Sequence, residues 1–196
     1  MGKQFTSRLA NGQVFQCLLQ PERCRHQRNN RRCRRTCLYG LPLCWQHVRA
    51  VYRVLAKDSD VVPGERGLFA HDATAPPHAI VFRPGDRIIP YDGHAMSKHA
   101  LDQRYPGHTP GVYALCEGNA CVDAGCRRGW ASFANGTNTE MRANRGVQAN
   151  AEYTYDSNLR QFFIVATKAI RNNGKIIVNY GDDYVWGWEH STKQKR

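Results

Sequence analysis

No apolar run in this 196-residue chain approaches the roughly 20 residues that a membrane-spanning helix needs, so no such helix is expected. No internal repeat is present, which excludes a solenoid, and the basic end KQKR is the one compositionally biased stretch. The opening MGKQFTSRLANGQVFQ lacks the apolar stretch of a secretory signal. The eight cysteines are therefore expected to meet a reducing intracellular compartment, as thiols or metal ligands rather than disulfides. Acid is scarce: 16 Asp and Glu stand against 28 Lys and Arg, a net charge of +12 that draws the chain toward polyanions. The carboxylates form no pattern of metal-binding pairs, which argues against a nucleic-acid-processing enzyme. With 41% hydrophobic and 10% aromatic residues, the composition excludes wholesale disorder and suits an ordinary domain with a small appendage.

The appendage is legible at the start, in CRHQRNNRRCRRTCLYGLPLCWQH. Cys24, Cys33, Cys44 and His47 stand at C-x8-C-x10-C-x2-H, and three thiolates with an imidazole close a tetrahedron around Zn²⁺. Cys37 lies between these ligands and could substitute for Cys33, leaving C-x6-C-x2-H. Around them cluster Arg23, Arg25, Arg28, Arg31, Arg32, Arg34 and Arg35, which points to nucleic acid or a nucleosome as a partner of a basic zinc module over residues 1–50. Cys116, Cys121 and Cys126 follow no known zinc spacing and read as free thiols.

Beyond the module the texture turns to short strands. The pattern predicts a helix over Trp45 to Tyr52, with apolar Val48, Val51 and Tyr52, then strands broken by Pro63, Gly64 and Gly67. HAIVFRPGDRIIPYDG gives two apolar bursts, and GVYALCEG, QFFIVATKAI and KIIVNYG give further strands. Ser97 to Gln103 is the second predicted helix. The fold class is mainly β, and the two parts are expected to have separate cores.

Four segments then follow in fixed order: GERGLFA, FRPGDRIIPYDG, FANGTN with a later NAEY, and AIRNNGKIIVNYGDDYVW. The glycines of the first let a backbone approach a bulky ligand, since no Cβ intervenes. An asparagine amide, as at Asn135, offers donor and acceptor together. Together the segments resemble a SET domain, the fold of protein-lysine methyltransferases, over roughly Val51 to Glu189. The ending YGDDYVW is similar to small viral SET proteins, and CWQH resembles a zinc motif of large DNA viruses.

The resemblance implies a β-clip fold of several small sheets with a knot-like C-terminal segment over residues 51–196. It implies S-adenosylmethionine as cofactor, held by Arg66, Gly67 and Leu68 through main-chain groups, by Asn135, and by Tyr184 and Trp186 as a cover. Gly136 departs from the family's histidine, a loss expected to weaken cofactor hold. Tyr180 resembles the catalytic tyrosine, with Tyr113, Tyr153 and Val178 lining the lysine channel and Tyr91 at a fold or cofactor-side position. The small Val178 implies room for di- or trimethylation. The implied activity is protein-lysine N-methylation, with a histone tail as substrate, the nucleus as compartment, and the oligomeric state open, a homodimer included. The competing reading is a degenerate SET-like protein in which the zinc module does the binding.

Overall fold

The computed structural model describes residues 3–8, 14–38, 40–60, 64–106, 113–137 and 146–180. Tyr184, Trp186 and the predicted knot-like C-terminal segment lie outside them. Strands β1 (Lys3–Arg8) and β2 (Val14–Leu19) pair antiparallel. The short β3 (Gln27–Arg28) and β4 (Arg31–Arg32) make a hairpin turned by Asn29 and Asn30, both left-handed, the conformation a two-residue hairpin turn demands. Helix α1 (Trp45–Tyr52) occupies the predicted span, buries Val48, and ends at Arg53, whose left-handed N–H bonds the Arg49 carbonyl.

Next come β5 (Val54–Asp58), β6 (Arg66–Ala70), β7 (Ile80–Phe82), β8 (Arg87–Pro90) and β9 (His94–Ser97). Helix α2 (Lys98–Arg104) is capped by Ser97, whose hydroxyl accepts from the Ala100 N–H at 3.1 Å. Strands β10 (Ala114–Glu117) and β11 (Ala120–Asp123) precede a 3₁₀ turn (Trp130–Phe133) and β12 (Asn135–Thr137). The described chain closes with β13 (Ala151–Asp156), β14 (Gln161–Ala166), β15 (Ile170–Arg171) and β16 (Lys175–Asn179).

The strands fall into several small sheets around one larger one of seven strands, ordered β5-β6-β16-β13-β14-β8 with β12 also on β16. Alternation drives this: Phe162, Ile164 and Ala166 of β14 and Ile176 and Val178 of β16 point inward while their neighbours do not. Strand β16 pairs antiparallel with β6 and parallel with both β12 and β13. Parallel pairing between distant segments leaves no local signal, and the sequence did not disclose β9, β11, β12 or β13.

Two expectations are corrected. First, the parts do not have separate cores. Buried Cys24, Cys37, Leu41, Cys44 and Val48 belong to the same apolar cluster as Val54, Leu68, Trp130, Ile164 and Val178. The Trp130 indole N–H donates to the Leu43 carbonyl at 2.8 Å across that junction. Second, four of the eight cysteines are paired. Cys116 and Cys121 are directly opposed on β10 and β11 and form a disulfide with Cα atoms 4.1 Å apart. Cys17 on β2 is joined to Cys126, 109 residues on. The five-residue spacing of Cys116 and Cys121 conceals a two-residue turn, Gly118-Asn119, that brings the thiols across from each other.

Candidate active site and metal centre

The four expected metal ligands converge. One donor atom each from Cys24, Cys33, Cys44 and His47 lies within 4.8 Å of all the others. His47 Nδ1 stands 3.2 Å from Cys44 Sγ and 3.4 Å from Cys24 Sγ. Backbone N–H groups of Cys44 and Arg35 donate to the sulfurs of Cys24 and Cys33, which suits thiolates. Burial, then the charge of His26 and Arg35, holds His47 below its usual pKa and favours the neutral ring that a metal requires. Cys37 stays out of the quartet: burial, then the neighbouring Cys24, pushes its thiol up to about 12. The donor set therefore fits one tetrahedral soft cation through Cys33, not Cys37.

The hairpin holds this geometry with its own arginines. Arg23 donates to the carbonyls of Cys33 and Arg32, and Arg32 donates back to those of Cys24 and Arg23. These two guanidinium groups brace the loop that carries the first two ligands.

A second constellation forms along β12. Asn135, 6% exposed, donates from Nδ2 to the Arg66 carbonyl and accepts at Oδ1 from the Ser59 hydroxyl at 2.9 Å. A Cβ on Gly67 would come within 2.7 Å of that Oδ1 and 3.0 Å of Lys175 Cε, so only glycine lets the strand pass this close. Lys175 completes the group: its ammonium donates to the Ser59 hydroxyl at 2.6 Å and to Asp60 at 2.7 Å, with the side chain 8% exposed. Hydrogen bonding to Lys175 is the main cause that holds the Asp60 carboxyl below its ordinary range. Ser59 and Lys175 were not among the expected site residues. The available signal was a lysine opening the apolar strand KIIVN, where burial demands a polar partner.

Gly136, the next residue, faces the tyrosine. A Cβ there would lie 2.0 Å from Tyr180 Cδ2 and 2.2 Å from its Cε2, so the ring occupies the space of any side chain at 136. The missing histidine is thus not a vacancy that a histidine could refill. Tyr180 donates its hydroxyl hydrogen to the Ala134 carbonyl at 2.7 Å, and its N–H to Thr137 O. Its ring lies parallel to that of Tyr153 at 6.2 Å, and Tyr153 meets Tyr91 edge-on at 5.4 Å. The Tyr91 hydroxyl donates to the Tyr113 carbonyl at 2.9 Å, while the Arg128 guanidinium covers the Tyr113 ring at 4.1 Å.

The expected residues thus gather in two joined groups. Arg66, Gly67 and Asn135 meet at one side of β12, and Tyr180, Tyr153, Tyr91 and Tyr113 line up at the other. Leu68 and Val178 are fully buried and belong to the core, Val178 as the register partner of Gly136. Asn150 is a sheet fastener: its amide donates to the Lys175 carbonyl and accepts from the Ile177 N–H.

No protein-family model and no curated protein matches the chain. Solved structures are similar to it. The polycomb repressive complex 2 of Chaetomium thermophilum, in an autoinhibited conformation bound to S-adenosylmethionine, is 18% identical over 74% of this chain with a TM-score of 0.47. The methyltransferase domain of human PR domain-containing protein 2 is 15% identical over 69% of this chain, TM-score 0.46. The SET8 protein of Cryptosporidium is 18% identical over 66%, TM-score 0.45. The chain spans 17% of the polycomb chain, 82% of the human domain and 57% of the Cryptosporidium protein.

Proposed function

We propose that this chain is a SET-type methyltransferase that uses S-adenosylmethionine to methylate lysine side chains of a protein, with histone tails as the substrate class and the nucleus as the place of action. The observation that carries the reading is Tyr180, placed against a glycine that could be nothing else and anchored by its hydroxyl to the Ala134 carbonyl. With its hydrogen committed to a carbonyl, that hydroxyl presents oxygen as an acceptor, the polarity that orients an amine N–H. The Tyr91, Tyr153 and Tyr180 rings supply apolar surroundings that disfavour a lysine ammonium, whose free pKa is about 10.4.

The residues at the Gly67 side fit the cofactor's amino-acid end. Asn135, Ser59 and Lys175 gather polar groups beside the Arg66–Gly67 backbone, with the Lys175 ammonium held by Asp60. When bound, S-adenosylmethionine supplies a methyl made electrophilic by its sulfonium. Position and exclusion of water, rather than a strong base, are what the protein has to add. One Zn²⁺ on Cys24, Cys33, Cys44 and His47 is proposed as structural.

The test is to incubate the full chain with methyl-labelled cofactor and core histones, then hydrolyse the product. Label recovered as methyl-lysine is expected. A chain that neither transfers label nor binds the cofactor in a titration would return the alternative, a SET-like fold whose zinc module does the binding.

A further inference from the structure

Residues 23–53 contain nine arginines and no Lys, Asp or Glu. Arg23 and Arg32 are braces, and Arg25 pairs with Glu22. Arg28, Arg31, Arg34 and Arg35 remain on the exposed side. Arg28 and Arg31 are direct cross-strand partners on β3 and β4. Like charges in that relation destabilise a hairpin unless an anion lies between them.

Helix α1 adds an aromatic feature. Trp45 is 50% exposed, with the Arg49 guanidinium 5.0 Å and that of Arg35 5.8 Å from the ring. Arg49 Nε is buried with no hydrogen-bond partner among the described residues. Beside Trp45 opens a cleft of about 320 Å³ lined by Leu38, Arg49, Arg66 and Trp130. A second concavity, of about 530 Å³, is lined by His26, Arg28, Asn29 and Arg31 together with the metal ligands Cys33 and His47.

We infer that this face binds single-stranded nucleic acid, with phosphates on Arg28, Arg31 and Arg34 and an unstacked base on Trp45 between Arg35 and Arg49. The half-exposed indole and the guanidinium groups over its ring are planar surfaces on which any base can stack, and the exposed arginines supply charge for phosphates. A duplex could use the charges but not the indole, because its bases are stacked on one another. The inference does not depend on methyl transfer.

The test is fluorescence anisotropy of the full chain with labelled 20-nucleotide oligouridine, oligothymidine and a duplex of equal length, across a salt series. Single strands are expected to bind more tightly than the duplex, and the ribo and deoxyribo arms show whether the sugar matters. Trp45→Ala should weaken single-strand binding about ten-fold or more with the salt slope unchanged. Trp45→Phe should keep most of the affinity, which separates a lost platform from a damaged fold. Replacing Arg28, Arg31 and Arg34 by serine should flatten the slope. Equal affinity for duplex or heparin, or a Trp45→Ala protein that melts normally and binds single strands undiminished, would overturn the inference.

Discussion

Position 136 shows how a single hydrogen can set a site. Because the Tyr180 ring fills the volume where a side chain would start, even Gly136→Ala forces the ring or the strand to move. Overpacking of this kind costs about 1–3 kcal/mol, and the variant should melt at lower temperature and lose methyl transfer together. Tyr180→Phe is the milder probe. It removes the hydroxyl that donates to Ala134 O, so turnover should fall by about 10²-fold while cofactor binding measured by calorimetry changes little. Asn135→Ala should act differently, since it strips partners from the Ser59 hydroxyl and the Arg66 carbonyl at a buried position. A loss of about 1–3 kcal/mol in chemical denaturation is expected, with cofactor affinity falling alongside. Tyr180, Asn135 and Gly67 were reachable from the sequence only through the order of four short segments that together resemble a SET domain. Lys175 left only the mark of a lysine opening an apolar strand and Ser59 left none, because their partnership spans 116 residues and depends on β16 lying beside β6.

At the scale of elements, the helices and several strands follow from local pattern: α1 from its apolar spacing, α2 from Ser97 as cap, β14 from its apolar run QFFIVA. The pairings do not. The disulfide Cys116–Cys121 needs the β10–β11 register, and Cys17–Cys126 needs two hairpins brought together, so spacing alone suggested free thiols. The metal quartet was legible because it is local. Its effect on stability was not, because Cys24, Cys44 and Val48 turn out to pack with the large sheet. Zinc by atomic spectroscopy should be near one per chain and vanish in Cys44→Ser, while Cys116→Ser leaves it intact. Chelation should then shift one unfolding transition in calorimetry rather than remove a separate small one. Two transitions, with the larger unaffected by chelator, would restore separate cores.

For the whole molecule, the uneven charge and the central strand matter most. Strand β16 stands between β6 and β13 with β12 also bonded to it, so the larger sheet has no middle until residues 175–179 exist. At about 5–20 residues per second of synthesis, the stretch from Ala70 at the end of β6 to Lys175 takes roughly 5–20 seconds to emerge. Throughout that interval β6 waits with an open edge, and so does β13 once made. All four metal ligands are made early, within residues 24–47, but Cys24 and Cys44 share a core with Ile176 and Val178 of β16 and lack that support until it arrives. Nascent chains arrested before Lys175 should therefore be cleaved readily in the sheet region and, because Cys24, Cys44 and Val48 pack on that sheet, in the metal loop as well. The order in which the parts can settle is written into the chain's topology: the metal ligands are made early, but the sheet they pack against closes only when residues 175–179 join β6, β12 and β13.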